Sequence, residues 1–393
     1  MNKKTVKDID MSGKKVILRA DFNVPLDDKQ NITDDRRIQA ALPTIKYILE
    51  HQAEKLILMS HLGRPKGEII DAMRLKPVGD RLQELLGTEV FSLGECIGGK
   101  IKDIVATSSQ RVILLENLRF HKEETKNDPG FAKQLASLAD IYVNDAFGTA
   151  HRAHASTEGI TQYLPSVAGL LLEKEITYLS QAVEDPAKPF VVILGGAKVS
   201  DKIAMIENLL TKADSILIGG GMVYTFLKAQ GKGVGKSLLE ADKVDTAKMI
   251  LEKAQKANVQ IELATDFVIV REIDQPQEAK ISSEIPDGWE GVDIGPASRE
   301  KFKQILSSAK TIVWNGPVGI FEKDAYAEGT RVLAEYIAGL EDVTSIIGGG
   351  DTAAAVAKFK AEEGMTHIST GGGASLELLE GKPLPGVTAL NDK

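Results

Sequence analysis

The sequence is poor in the features of secreted, membrane-spanning or disulfide-bonded proteins. Its 393 residues include one cysteine, Cys96, which excludes an intrachain disulfide and is compatible with a reducing compartment. No segment reaches the ~20 apolar residues that cross a bilayer. The N-terminus, MNKKTVKDIDMSGKKVILRADF, lacks the apolar stretch and small-residue cleavage site of a signal peptide. We therefore expect a cytoplasmic protein.

Other absences disfavour whole classes of chemistry. There is no excess of basic residues, since 48 basic against 56 acidic residues give a formal net charge of -8, which argues against a nucleic-acid partner. Nothing in GECIGG activates Cys96 as a nucleophile. His151 and His154 have no partnering cysteine and lie in an arginine-rich stretch better suited to anions than to a metal. The dinucleotide fingerprint G-x-G-x-x-G is missing, which disfavours a nicotinamide dehydrogenase.

What is present is an alternation of short aliphatic runs with helical patterns. Hydrophobic residues make up 43% of the chain and charged residues 26%, and the length favours two domains. The candidate strands are 16–18, 56–58, 112–115, 141–143, 191–194, 216–218, 311–314, 345–347 and 367–369. Helix-like stretches such as 36–52 and 131–138 alternate with them, which predicts an α/β fold of two doubly wound, Rossmann-like parallel-sheet domains joined by a helical hinge.

In the first half, basic and amide residues follow the hydrophobic runs. The segments are RADFNVP (19–25), HLGRP (61–65), ENLRFH (116–121) and NDAFGTAHRAHAS (144–156). Taken singly, Arg19, Arg36, Arg64, Arg119 and Arg152 could each be a surface residue; together they could surround a carboxylate and a phosphate with bidentate forks. This half therefore predicts a site for a small anionic metabolite.

In the second half, glycine clusters follow the runs. The segments are ILGGAKVSDK (193–202), ILIGGGM (216–222), IIGGGDT (346–352) and ISTGGGAS (368–375). One such turn could serve only close packing of a helix on a strand. Several at strand ends of one domain favour a phosphate site built from backbone N–H groups. GKGVGKS (231–237) lacks the first glycine of a P-loop and follows a helical pattern, so we interpret it as a surface turn.

Three charged residues in these turns have both a structural and a functional interpretation. Asp351 could cap a helix, but a carboxylate beside a phosphate-binding turn is also the usual protein ligand of nucleotide-borne Mg²⁺, which we favour. Lys198 and Lys202 could be solvated surface lysines. Cations at the start of a helix oppose its dipole, however, and an anion held between them would remove the conflict.

At these residues the sequence resembles the phosphoglycerate kinase family over nearly its whole length. The motifs DFNVP, HLGRP, ENLRFH, NDAFGTAHRAHAS, GGAKVSDK, DIGP, WNGPVGIFE, GGGDT and TGGGASLE occur in that family's order. The resemblance implies a cytoplasmic monomer with an N-terminal 3-phosphoglycerate-binding domain at 1–170 and a C-terminal nucleotide-binding domain at 171–379. The latter would begin with an interdomain helix at about 172–184, and a tail at about 380–393 would pack back on the first domain.

The resemblance also implies roles for individual residues. Those implied to hold 3-phosphoglycerate or 1,3-bisphosphoglycerate are Asp21, Phe22, Asn23, Arg36, His61, Leu62, Gly63, Arg64, Arg119 and Arg152. Those implied to hold ADP or ATP are Lys198, Lys202, Gly295, Asn315, Glu322, Gly349, Gly350, Asp351 and Thr352, with Mg²⁺ reaching Asp351 through the nucleotide. Arg36, Lys198, Gly371, Gly372 and Gly373 would embrace the phosphoryl group in transfer.

The implied reaction agrees with the residues. Both competing nucleophiles, a phosphate and a carboxylate, are ionised at neutral pH, so no general base is needed. The remaining tasks of catalysis are to align the reactants and to neutralise the charge on the transferring group. Cations, Mg²⁺ and glycine turns are suited to these tasks. In-line transfer would follow domain closure. The alternative is a non-catalytic two-lobed protein that binds an anion or nucleotide, which would need neither the Mg²⁺ carboxylate nor the glycine turns.

Overall fold

The computed structural model describes residues 2–393 and divides them into two compact units. The first unit runs to Thr177 and includes Pro383–Lys393; the second is Tyr178–Lys382. Among the described residues, none of the helices has both the length and the apolar character to span a bilayer.

The first unit is built on a six-stranded, fully parallel sheet. Its strands are β1 (Lys15–Arg19), β2 (Lys55–Met59), β3 (Val90–Ser92), β4 (Val112–Leu114), β5 (Ile141–Asn144) and β6 (Ser166–Ala168), in the order β3-β4-β2-β1-β5-β6. The middle residues of the central strands are buried and mostly apolar, as in strands covered on both faces. The sheet therefore forms the middle of the core.

Helices connect these parallel strands. They are α1 (Arg36–Glu50), α2 (Lys76–Leu86), α3 (Gly99–Thr107), α4 (Lys122–Thr125), α5 (Pro129–Ala136) and α6 (Leu170–Glu184). α1 buries a stripe that includes Ile38, Ala41 and Ile45, at the spacing of one helix face. The division between the two units falls inside α6.

The second unit has a parallel sheet of its own, in the order β15-β14-β13-β7-β8-β9. Its strands are β7 (Phe190–Leu194), β8 (Ser215–Ile218), β9 (Gln260–Leu263), β13 (Thr311–Asn315), β14 (Thr344–Gly348) and β15 (His367–Ile368). The helices are α7 (Ile203–Leu209), α8 (Val223–Ala229), α9 (Val244–Lys256), α10 (Pro296–Leu306), α11 (Glu328–Ala338), α12 (Gly350–Lys358) and α13 (Gly373–Leu379). Two parallel-sheet α/β units confirm the predicted fold class.

A small antiparallel sheet in the second unit was not predicted. It consists of β10 (Phe267–Val270), β11 (Lys280–Ser282) and β12 (Glu290–Ile294), with β10 in the centre. β11 is largely exposed, and its middle residue, Ile281, has 59% of its surface accessible. An exposed edge strand lacks the repeating apolar residues that face a core, so the hydrophobic pattern did not predict β11.

The C-terminal tail belongs to the first unit. It contains α14 (Pro385–Thr388), and it buries Leu384 and Leu390. The Nδ2 group of Asn144, the last residue of β5, donates to the carbonyl of Gly386 at 2.8 Å, and Lys3 Nζ donates to the carbonyl of Leu390 at 2.7 Å. The tail is thus tied both to the sheet and to the N-terminal segment.

Candidate active site

The loops after β1 and β2 meet at the carboxyl edge of the first sheet, where parallel α/β sheets bind ligands. Ser60 Oγ accepts from the backbone N–H of Phe22 and donates to the carbonyl of Ala20, both at 2.8 Å. Asn23 Oδ1 accepts from the backbone N–H of Gly63 at 2.8 Å. These bonds hold the two loops together as one platform.

The protonation of His61 is determined by the arginine behind it. Arg19, the last residue of β1, is fully buried, and its Nη2 lies 3.0 Å from His61 Nδ1. A guanidinium only donates, so Nδ1 must accept and the ring proton must be on Nε2. Burial, together with the charges of Arg19, Arg119 and Arg37, holds the pKa of His61 well below its usual value. His61 is therefore a neutral hydrogen-bond donor.

A buried carboxylate balances Arg19. Arg19 Nε donates to Ser156 Oγ at 2.9 Å, and Ser156 Oγ donates to Glu124 Oε1 at 2.6 Å. The backbone N–H of Ser156 donates to the other Glu124 oxygen at 3.0 Å. Because Glu124 has no accessible surface, its carboxylate fixes the orientation of the guanidinium rather than competing for a ligand.

Arg119 carries a free donor into the same region. It lies on a single turn, Leu118–Phe120, and its Nη1 donates to the carbonyl of Gly63 at 2.9 Å. Its Nε is buried and has no hydrogen-bond partner among the described residues. Burial and the charges of Arg19 and Arg152 lower the pKa of Arg119 to about 10, so it stays charged at neutral pH. A buried, charged donor without an acceptor is typical of an anion-binding site.

At the start of α1, the structure brings Arg37 rather than Arg36 to this region. Arg37 Nη1 donates to Asp21 Oδ2 at 2.8 Å, and its charge contributes to the lowered pKa of His61. Arg36 instead forms a fork with Asp34, with N···O distances of 2.5–3.0 Å. Arg36 is thus paired with Asp34, and its predicted role toward the substrate stays a prediction.

The other predicted residues of the first unit lie in the segments that follow β2 and β5. Leu62 is buried, and its carbonyl accepts from Asn117 Nδ2 at 2.8 Å. Arg64 is exposed. Arg152 Nε donates to His151 Nε2 at 3.1 Å, and the charge of Arg152 acts on Arg119. The result is a partly buried guanidinium cluster in a protein whose net charge is negative.

The second unit has a cavity of about 340 Å³ at the carboxyl edge of its own parallel sheet. It is lined by turns that follow β7, β13 and β14 and by the beginnings of α12 and α13. The lining residues are Gly195, Gly196, Ala197, Lys198, Asp201, Lys202, Asn315, Gly316, Pro317, Gly349, Gly350, Asp351, Thr352, Gly372, Gly373 and Leu376.

Glycine is required at several of these positions. A Cβ on Gly195 would lie 2.1 Å from the carbonyl oxygen of Pro317, which excludes any side chain there. Gly349, which precedes α12, has φ +88°, and Gly372, which precedes α13, has φ +46°. Both conformations favour glycine and leave the following N–H groups accessible. The turns therefore provide backbone donors without side chains to obstruct a phosphate.

Polar side chains complete the cavity. Lys202 Nζ donates to Asn315 Oδ1 at 2.5 Å, and burial lowers the pKa of Lys202. Thr352 Oγ1 accepts from the backbone N–H of Gly316 at 2.7 Å, which joins two of the turns. Asp351 is exposed at the second position of α12, and its charge acts on Lys202. The cavity thus combines cations, backbone donors and one accessible carboxylate.

Comparisons with known proteins identify the family of the chain. The family model described as phosphoglycerate kinase matches residues 6–382. The chain belongs to the phosphoglycerate kinase family. A phosphoglycerate kinase from Chlorobium limicola is 55% identical over the full length of both chains. A cytosolic phosphoglycerate kinase from Triticum aestivum is 56% identical over 99% of this chain and 98% of its own. The solved phosphoglycerate kinase of Coxiella burnetii, 40% identical, has a TM-score of 0.89 and covers 98% of each chain.

Membership of the family establishes the activity class. The chain is an enzyme, a phosphotransferase of glycolysis with phosphoglycerate kinase activity. The non-catalytic anion-binding protein considered above is not supported.

Three of the residues implied by the family resemblance do not line the cavity. Gly371 is buried, its N–H donates to Ser369 Oγ at 3.1 Å, and it is not among the lining residues. Gly295 caps α10, where an added Cβ would lie 2.3 Å from the Asp266 carboxylate. Glu322 is exposed and lies outside the lining set. The other predicted nucleotide residues line the cavity together.

The sequence interpretation did not single out several residues that the structure places in these two regions. Arg37 is adjacent to Arg36, which the sequence analysis selected, and neither residue type nor spacing distinguishes the two arginines. Glu124 and Ser156 carry no motif for chemistry, and their role depends on Arg19, which is far away in the sequence. Gly195 and Gly316, by contrast, lay inside GGAK and NGP motifs, which could have identified them.

Proposed function

We propose that the enzyme transfers the acyl phosphate of 1,3-bisphosphoglycerate reversibly to ADP, with 3-phosphoglycerate and ATP as the products. The first unit would bind the acid and the second the nucleotide. The observation that carries this assignment is the contrast between a partly buried guanidinium cluster and a glycine-lined cavity with an accessible carboxylate. Guanidinium forks suit carboxylates and phosphates, and glycine turns suit nucleotide phosphates.

In the first unit, three neighbouring groups would hold the anion. Arg119 offers its unpaired Nε, His61 offers Nε2–H, and Arg37 offers the guanidinium N–H groups that Asp21 does not occupy. We assign Arg37 to the role that the family resemblance placed at Arg36. The complete assigned set is Asp21, Phe22, Asn23, Arg37, His61, Leu62, Gly63, Arg64, Arg119 and Arg152.

In the second unit, the cavity residues would hold the nucleotide phosphates. Lys202 and Asn315 form a fixed polar pair, and the turns before α12 and α13 supply N–H groups. Asp351 fits Mg²⁺ that arrives with a nucleotide, because it is accessible and Mg²⁺ on phosphates needs only one or two carboxylates. When bound, Mg²⁺ neutralises charge on the transferring phosphoryl group. The role of the exposed Glu322 toward ribose hydroxyls remains a prediction.

The residues provide positioning and charge neutralisation rather than acid–base chemistry. His61 lies in the acid site but is held neutral by burial and by the charge of Arg19, so it can orient the substrate without removing a proton. The exposed ammonium of Lys198 at the cavity would meet the phosphoryl group in transfer. Such preorganised donors lower a barrier by contacts that are strongest in the transition state.

Adjacent arginines provide a discriminating test. We expect Arg37→Ala to lower kcat/KM for ATP formation from ADP, Mg²⁺ and freshly generated 1,3-bisphosphoglycerate by about 100-fold or more, as loss of a charge-stabilising donor does. Arg36→Ala should change it by less than about threefold, because its exposed fork with Asp34 lies elsewhere. Both rates would be measured in a coupled assay.

Nucleotide binding serves as the internal control for this pair. The ADP dissociation constant, measured by calorimetry, should be the same in both variants and in the unaltered chain, because neither arginine lies in the second unit. A large loss of activity in Arg36→Ala with Arg37→Ala unaffected would return the role to Arg36. Loss of ADP binding in either variant would indicate misfolding.

We also propose that the enzyme is a monomer and cytoplasmic. Each proposed ligand set is contributed by one chain, so a second copy is not needed to complete a site. The Triticum aestivum relative is named cytosolic, which supports the location. Light scattering of the purified protein and fractionation of the source cells would test the two statements.

A further inference from the structure

Outside both sites, three side chains of types that bind metals converge. Cys96 and its neighbour Glu95 lie in the loop between β3 and α3, and His121 directly precedes α4. The Cys96 Sγ, one Glu95 carboxylate oxygen and one His121 ring nitrogen all lie within 4.8 Å of one another. No sequence motif indicates this group, because His121 is distant from Cys96 along the chain.

The cluster is ordered by its surroundings. His121 Nε2 lies 2.7 Å from Glu95 Oε1, and the backbone N–H of Cys96 donates to the same oxygen at 2.7 Å. The His121 ring packs on Phe131 with centroids 5.3 Å apart. The backbone N–H of His121 donates to the carbonyl of Leu118 at 3.1 Å, which fixes its position on the turn. The three donors therefore meet without any large rearrangement of the backbone.

Cysteine sulfur, imidazole and carboxylate together match the preference of Zn²⁺ and related late divalent ions, and a cation that binds Cys96 would displace its thiol proton to solvent. Such ligands lie about 2.0–2.3 Å from a tetrahedral zinc, so the ligand atoms are separated by roughly 3.3–3.8 Å. The three atoms lie within 4.8 Å of one another, so the side chains would move closer together to reach that geometry. Mg²⁺, which prefers an all-oxygen octahedron, would not select this set.

The three residues are also buried to different extents, as the ligands of a metal site open to solvent are. Cys96 is 1% accessible, whereas the side chains of His121 and Glu95 are 25% and 45% accessible. A cation could enter from the side of the histidine and the carboxylate and keep a solvent ligand in the fourth position. We propose that Glu95, Cys96 and His121 form a binding site for a zinc-class divalent cation, separate from the Mg²⁺ that accompanies the nucleotide.

The site would join two loops. The turn that ends at His121 carries Arg119, and the backbone N–H of Glu116 already contacts the carbonyl of Glu95 at 3.4 Å. A shared cation would add a direct link between the loop after β3 and this turn.

Cobalt provides the test, because the chain has a single cysteine. Co²⁺ would be titrated into chelator-treated full-length protein with Mg²⁺ and ADP present to occupy the nucleotide site. Any near-ultraviolet sulfur-to-cobalt charge-transfer band must then report Cys96. We expect a band that saturates at one equivalent of Co²⁺ and disappears when Zn²⁺ is added. Absence of the band up to about millimolar Co²⁺, far above the concentrations at which protein zinc sites bind, would overturn the proposal.

Variants test the other two ligands. His121→Gln and Glu95→Gln should each weaken Co²⁺ binding at least tenfold, and Cys96→Ser should remove the band. His51→Gln is the matched control, since His51 is exposed and stacks on Tyr47 with centroids 3.9 Å apart. Circular dichroism would confirm that each variant is folded. A band of unchanged affinity in His121→Gln would mean that a lone thiol binds cobalt, and the three-residue site would be wrong.

Discussion

The geometry around His61 shows how one buried residue can specify the chemistry of another. Arg19 approaches His61 Nδ1 from inside the protein, and Glu124 and Ser156 hold Arg19 in place. The neutral ring then presents Nε2–H outward. A cationic histidine in this position would add to the repulsion among the arginines, whereas a neutral one adds a donor at no electrostatic cost.

This arrangement predicts the tautomer of His61. The ring should be neutral with its proton on Nε2 at about pH 6, where an unperturbed histidine is largely charged. Its lowered pKa follows first from burial and then from Arg19 and Arg119. Nitrogen-15 shifts of the labelled ring would report the state, with His61→Gln used to assign the signal. Protonation of both nitrogens at that pH, or of Nδ1 alone, would contradict the proposed role of Arg19.

Asp293 provides a second prediction at the residue scale. It is 2% accessible, and its two oxygens accept from the backbone N–H groups of Ile294 and Gly329 at 2.9 and 2.7 Å. Burial raises its pKa to about 7. A raised carboxyl pKa stabilises the fold below the unfolded value of about 3.9, and this contribution is lost as the pH rises through about 7.

The stability of Asp293→Asn should therefore depend less on pH. Between pH 5 and pH 8 the unaltered protein should lose about 2–3 kcal/mol of unfolding free energy through this group, and the variant should not. Urea unfolding at the two pH values measures the difference. Asp287→Asn, at an exposed position, is the control. Equal pH slopes for Asp293→Asn and the unaltered protein would show that Asp293 is ionised throughout the range.

At the scale of helices and strands, burial explains what the sequence could predict. Strands such as β1, β2, β7 and β13 are continuous apolar runs because both faces are covered, so the pattern identified them within a residue or two. β3, β6 and β9 were missed. β3 and β6 each include a serine among their three residues, and β9 begins with the exposed Gln260, so none has a clear apolar run.

The same scale explains the arginine at the start of α1. Successive helix residues point about 100° apart, so Arg36 and Arg37 must face different directions. Arg37 faces Asp21, and Arg36 faces Asp34. Which of the two faces the site depends on the angle at which the helix packs on the sheet. That angle is a tertiary property, and neither arginine carries a signal for it in the sequence.

The C-terminal tail leads to a prediction about one element. Deletion of Pro383–Lys393 should destabilise the first unit by several kcal/mol, although the tail follows the second unit in the sequence. The loss would come from burial of Leu384 and Leu390, at about 1.5–3 kcal/mol each, and from the bond between Asn144 and Gly386. Urea unfolding followed by hydrogen exchange in β5 and β6 would measure it.

Removal of Lys393 alone is the control for this deletion. Lys393 is exposed, and its ion pair with Asp8 spans 3.4 Å, so its loss should change stability by less than about 1 kcal/mol. If deletion of the whole tail leaves β5 and β6 as protected as before, the packing of the tail contributes nothing to the stability of the first unit.

For the whole molecule, each unit has its own parallel sheet, core and proposed ligand set. The guanidinium cluster belongs to the first unit, and the glycine-lined cavity belongs to the second. Stabilisation by a ligand is greatest in the part of a protein that must be folded for the ligand to bind. The two substrates should therefore act on different parts of the chain.

Hydrogen exchange with one substrate at a time tests this separation. Saturating 3-phosphoglycerate should protect the loops after β1 and β2 and the turn that carries Arg119, because these loops would gain an anion at the unpaired Nε of that arginine. Mg²⁺ with ADP should protect the turns before α12 and α13 and leave those loops unchanged. Arg37→Ala should remove the effect of 3-phosphoglycerate and keep that of ADP. Protection of the glycine turns by 3-phosphoglycerate alone would show that the acid binds in the second unit, and the assignment of the two sites would be wrong.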